Sequence, residues 1–148
     1  MIRFAHANIT GSNAFPQLHG IANFYRNPSS GIWIEVELEG LPDSASHIDS
    51  SFYGMHIHEN GDCSIPFSNT GEHYNPDSTR HPQHAGDLPP ILGNHGYAYS
   101  FFYTDRLQPD EIINKAIIIH SSPDDFTSQP SGNSGEKIGC GVIEKYRL

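Results

Sequence analysis

Positive charge is scarce in this chain. Eight Lys and Arg stand against 17 Asp and Glu, for a formal net charge of -9. Nucleic-acid binding needs clustered cations to displace counterions from phosphate, and these are scattered, so that class is excluded. Long apolar runs are missing too: nothing approaches the roughly 18 residues that cross a bilayer. The start, MIRFAHANITGS, lacks the charged and apolar regions of a secretory leader, which points to the cytoplasm or to an exported protein whose leader has been removed. No segment carries a convincing amphipathic helix pattern, and the best candidate, residues 110–115, is one turn at most. Cysteine is limited to Cys63 and Cys140, which allow one intramolecular pairing, with two buried free thiols as the alternative.

What is present favours a turn-rich sheet. Gly 14, Pro 11 and 11% aromatic residues punctuate the chain and sit badly inside helices. A length of 148 residues fits one domain, 1–148, large enough to bury a core of its own. Residues 32–39 alternate Ile32, Ile34, Val36 and Leu38 with Trp33, Glu35, Glu37 and Glu39, the period of two that sets one strand face on a core and the other in water. Further strands are expected over 18–24, 54–58, 96–103, 116–120 and 139–143. Two long aperiodic stretches, 59–95 and 121–137, are rich in Gly, Pro, Asn, Ser and Asp. Loops of that length inside a compact domain are usually functional, and a bound metal could supply the cohesion that no hydrophobic face provides.

The histidines explain which function. His56 and His58 form a His-x-His pair on one face of an expected strand, so two ring nitrogens can share one ion. His73 follows, then His81, His84 and Asp87 in a His-x-x-His-x-x-Asp run, and His120 ends the expected strand 116–120. Imidazole is the commonest protein ligand for copper and zinc, so this concentration reads as a metal site. A solitary histidine is usually structural or solvated, the reading adopted for His6, His19, His47 and His95. Likewise Tyr97, Tyr99, Phe101, Phe102 and Tyr103 read as core and surface of a strand, and Glu35, Glu37 and Glu39 as a solvated face.

Five ordered motifs, GMHIHENGD, GEHYNP, HAGDL, IIIHSSPDD and GNSGEKIGCGVI, resemble the signatures of the copper/zinc superoxide dismutase family across roughly residues 16–143. The resemblance implies an all-β fold, an eight-stranded Greek-key barrel or immunoglobulin-like sandwich with long metal-binding and electrostatic loops. It implies one copper on His56, His58, His73 and His120 and one zinc on His73, His81, His84 and Asp87, with His73 bridging the two. Three histidines and a carboxylate suit a closed tetrahedral zinc site, and an all-nitrogen site suits a redox-cycling copper. Asp124 resembles the aspartate that orients one histidine of each metal, and Cys63 with Cys140 resemble the family's disulfide pair. The implied reaction converts superoxide to dioxygen and hydrogen peroxide at the copper, with His73 also acting as a proton donor.

One motif departs from the family pattern. Lys137 stands where an Arg is usual, so a cation is kept beside the copper site but the planar two-pronged donor is lost. The short metal loops and the position of Cys63 resemble bacterial members, and a homodimer is a possible assembly. The competing reading is a copper/zinc store on the same fold with no turnover. A cation at position 137 argues for the enzyme, since a store needs no charge to gather an anion.

Overall fold

The strand signalled most strongly by the sequence sets the frame. In the computed structural model, which describes residues 1–43 and 50–147, Ile32, Ile34, Val36 and Leu38 are fully buried. Each such side chain contributes about 1.5–3 kcal/mol on leaving water, so this face alone fixes the strand's orientation. In chain order the strands are β1 (Ile2–Gly11), β2 (His19–Arg26), β3 (Ile32–Glu39), β4 (Phe52–Tyr53), β5 (Met55–His58), β6 (Ile91–Leu92), β7 (Ala98–Thr104), β8 (Ala116–His120), β9 (Lys137–Val142) and β10 (Glu144–Lys145).

One antiparallel eight-stranded sheet runs β5-β8-β9-β1-β2-β3-β7, with β10 paired to β1. The remaining ribbon pairs β4 with β6 through Phe52 to Leu92 and Tyr53 to Ile91. Because β4 continues into β5 and β6 lies against β7, the ribbon spans the two edges of the curled sheet. The inward faces then share one core that includes Phe24, Ile34, Met55, Ile57, Ile117 and Ile119. Strands distant in sequence are neighbours here, β3 beside β7 and β5 beside β8, which is the Greek-key barrel expected from the resemblance.

Several details differ from the sequence reading: the short strands β4 and β10 lie outside the expected ones, and β9 begins at Lys137, inside the stretch read as loop. Strand β1 precedes the first one expected, and it buries Ala5, Ala7 and Ile9 while pairing with β2 along its length, with one register shift between Arg3 and Ala5. Alanine has low strand propensity, so its inward face carries little signal. The stretch 59–95 also holds β6 and a single 3-10 turn at Ser68–Thr70. The only helical feature near 110–115 is a 3-10 turn at Pro109–Glu111, in keeping with the single turn expected there. His47 lies outside the described residues.

Strands β5 and β8 are buried on both faces along their whole length, as are the four central residues of β9. Met55, Ile57, Ile117 and Ile119 face the core, whereas Ala116 and Ile118 join Phe67, Cys63 and Cys140 in a second, smaller cluster. The Cys63–Cys140 disulfide ties that loop to β9 across a sequence separation of 77. In the chain-entropy account such a closure stabilises by about 4.5 kcal/mol.

Candidate metal centre

Alternation along β5 sends Met55 and Ile57 inward and His56 and His58 to the opposite face. His120 reaches the same place from the end of the neighbouring strand β8. The exposed edge of β5 is then taken up by the long loop: Tyr74 N donates to Ile57 O at 2.7 Å and Ile57 N to Gly86 O at 2.8 Å. That backbone pairing sets His73 opposite His58 and Asp87 opposite His56. Strand chemistry therefore delivers three ligands, and loop-to-edge pairing delivers His73 and Asp87.

The ring nitrogens sort into two groups. In one, nitrogens of His56, His58, His73 and His120, all buried, lie within 4.8 Å of one another. His58 donates from Nδ1 to Gly71 O at 2.8 Å, and its Nε2 lies 3.3 Å from Nε2 of His120. His56 donates from Nε2 to Asp124 Oδ2 at 2.9 Å, which leaves Nδ1 buried without a partner. In the other group, His73 Nδ1 lies 2.9 Å from Asp87 Oδ1 and 3.2 Å from His84 Nδ1. Asp87 Oδ2 is 3.1 Å from His81 Nδ1 and 3.3 Å from His84 Nδ1. Tetrahedral zinc ligands at their usual bond lengths stand about 3.3 Å apart, so this spacing fits the ion. His56 also lies near the second group, but its bond to Asp124 turns Nδ1 to the first.

His73 belongs to both groups. Its Nδ1 faces Asp87 and His84, while its Nε2 is buried with no hydrogen-bond partner; Nδ1 of His81 makes no hydrogen bond either, although Asp87 Oδ2 lies 3.1 Å away. Orphaned buried nitrogens cost free energy in a metal-free chain, and a shared cation would satisfy them. Asp124 links the groups from behind, taking His56 on Oδ2 and His81 on Oδ1 at 2.7 Å. Gly132 makes this approach possible: a Cβ there would fall 1.9 Å from Asp124 Oδ1, and its φ of +71 is one side chains rarely adopt.

Electrostatics prepare the donors as neutral rings. Burial pushes His56 down to about 4 and His58 to about 3, and holds His120 well below its ordinary range. Burial raises the Asp124 carboxyl, but the hydrogen bonds from His56 and His81 prevail and bring it down to about 2. Neutral imidazoles and ionised carboxylates are the forms that bind metal.

An open cleft leads to the first group, lined by His58, His73 and His120 and by the cations Arg80, Lys115 and Lys137. Three of the chain's eight Lys and Arg thus line one opening, beside the acids Glu59 and Glu72. Sequence reasoning found Lys137 and missed Arg80 and Lys115, which sit in no motif. It also missed the residues that pin the loops. Gln129 brackets His81, accepting from its N–H at 2.9 Å and donating to its carbonyl at 2.7 Å. Arg106 donates to the carbonyls of Pro82 and His84. Such backbone anchoring leaves no spacing pattern to find. His6, His19 and His95 lie apart from both groups, as expected.

A Greek-key barrel carrying a four-histidine group and a three-histidine, one-aspartate group joined by one histidine has the donor layout of a β-barrel protein built to hold two metals. A family model described as copper/zinc superoxide dismutase (SODC) matches residues 18–143, and the chain belongs to that family of oxidoreductases. It is 37% identical over 131 residues to superoxide dismutase [Cu-Zn] 2 of Aquifex aeolicus, an alignment covering 78% of this chain and 73% of that one. Identity to superoxide dismutase [Cu-Zn] of Deinococcus radiodurans is 33% over 147 residues, covering 84% and 76%. With the extracellular superoxide dismutase [Cu-Zn] of Rattus norvegicus it shares 32% over 138 residues; the alignment covers 86% of this chain but only 55%, about half, of that relative's length. Among solved structures, the clock protein EA4 superposes with a TM-score of 0.83 at 26% identity, covering 97% of this chain and 94% of that one. A double mutant of a SOD-like protein from Bacillus subtilis gives 0.78 at 27% identity, covering 94% and 96%.

Proposed function

We propose that this protein disproportionates superoxide into dioxygen and hydrogen peroxide, with copper on His56, His58, His73 and His120 and zinc on His73, His81, His84 and Asp87. The observation that carries the reading is His73, whose two ring nitrogens face two different ligand groups. Copper supplies one-electron chemistry when bound, and zinc, which has no redox chemistry of its own, supplies structure. The chain's residues do the rest. Asp124 orients His56 and His81 together, so both ligand sets keep one geometry. Arg80, Lys115 and Lys137 outnumber Glu59 and Glu72 at the cleft, a local cationic excess on a chain of net charge -9 that would draw an anion inward. Nε2 of His73 is the buried atom that can hold a proton for delivery to the reduced product.

A store for the same metals is the competing reading, and the cation-lined opening at the four-histidine group favours the enzyme. Metal analysis coupled to a dismutation assay after loading with both metals tests the proposal. One copper and one zinc per chain with superoxide consumption above free-metal controls is expected. A fully loaded sample without activity would leave the store as the function.

A further inference from the structure

Lys137 does something in this site besides carrying charge. A lysine ammonium has three N–H donors, and here three acceptors lie within reach, all on one loop: Thr70 Oγ1 at 2.8 Å, Gly71 O at 3.2 Å and Phe67 O at 3.4 Å. The shortest contact is to Thr70, a fully buried residue whose hydroxyl donates onward to Phe67 O at 2.9 Å and so turns a lone pair toward the ammonium. Gly71 O accepts twice, from Lys137 and, at 2.8 Å, from Nδ1 of His58. That second bond fixes the His58 tautomer and leaves Nε2 as the ligand atom.

We propose that Thr70 and Lys137 form a clamp that holds the Gly71 carbonyl on His58, and that Lys137 attracts the substrate by charge without hydrogen-bonding it. The substrate half of this statement rests on the dismutase reading; the clamp half does not. An arginine at the same place has five donors and could hold the loop while offering a free pair to a diatomic anion. With lysine every donor is engaged, and Thr70 becomes the residue that sets where the charge sits. Lys137 and Thr70 are positioning residues for His58.

The clamp is tested on metal-free protein by NMR of the Lys137 ammonium protons and the His58 Nδ1 proton. Both are expected to exchange slowly in the parent and in Thr70→Ser. In Thr70→Val, which keeps the volume and removes the acceptor, the ammonium signal should be lost and the His58 proton should broaden. Copper affinity by chelator competition should fall about tenfold in Thr70→Val and recover in Thr70→Ser, the size expected for a residue that supports a ligand from behind. On loaded enzyme, Thr70→Val should keep the parental dependence of rate on ionic strength, because the charge remains, whereas Lys137→Met should flatten it and also release His58. Lys137→Arg should restore the His58 signal and exceed the parental rate. Unchanged His58 and Lys137 signals in Thr70→Val would overturn the clamp. Inactive loaded parent with the NMR result intact would overturn the dismutase reading and leave the clamp standing.

Discussion

Strands β3 and β5 both alternate, yet they solve different problems. In β3 the aliphatic face enters the core and the other face lies toward water, where Glu35 accepts from Tyr99, Asn23 and Tyr25 and Glu37 accepts from Tyr97. In β5 the second face is buried as well, and it carries His56 and His58 instead of aliphatic side chains. The β1-β2-β3-β7 side is held by its hydrophobic core and leaves one buried nitrogen unpaired, Nδ1 of His6 on β1. The β5-β8 side and its loops gather three such nitrogens, on His56, His73 and His81, within two groups that a cation could satisfy. One side of the barrel is folded by water, and the other presents two ligand groups built to hold metal.

Removing metal should split the two sides most widely. In a chelator-treated sample, hydrogen exchange is expected to accelerate through residues 59–88 and 121–136 by orders of magnitude, while amides of β1, β2, β3 and β7 keep their protection. Equal acceleration on both sides would break the contrast. Cys140→Ser should come next, lowering the stability of the metal-free protein by about 4.5 kcal/mol in denaturant titration, since the bridge anchors the loop that covers β8. Ile34→Ala attacks the other side. It should cost about 2–5 kcal/mol by chemical denaturation and leave the metal content of the folded protein unchanged. Loss of metal with that substitution would mean the sides are not independent.

Acid gives the finest probe. His56 and His58 titrate at about 4 and about 3 in the folded metal-free chain, below their ordinary 6.5. Between those values the unfolded chain takes up protons that the native state refuses, so stability is full above 6.5 and is lost as pH falls toward 4 and 3. Asp124, held at about 2 against an ordinary 3.8, adds a second loss at lower pH. Each group weakens folding by at most about 1.4 kcal/mol per pH unit. A melting temperature that stays level from pH 7 to pH 4.5 in metal-free protein would contradict this assignment.

Legibility followed the same divide, in reverse. The metal side was readable because its ligands are chemically rare and must fall at fixed places: His-x-His on one strand face, His81 to Asp87 in one turn-rich run. Parts of the water-folded side were silent. Strand β1 turns Ala5 and Ala7 inward, and alanine looks alike in any setting. The ribbon of β4 and β6 is two residues long on each strand, shorter than any periodicity can register. Gln129, Arg106 and Thr70 act on loop backbone and hydroxyls that become neighbours only after folding, so no spacing announces them.

Asp124 has a consequence for how the protein fills. One oxygen orients a histidine of the four-nitrogen group and the other a histidine of the zinc-type group, so ordering either set immobilises the carboxylate on which the other depends. Uptake of two ions would then be cooperative, coupled through Asp124 and through the shared His73. Thermodynamic reciprocity requires that whatever factor zinc adds to copper affinity, copper adds to zinc. At limiting metal the population should divide into chains with both ions and chains with neither, at the expense of the half-filled form.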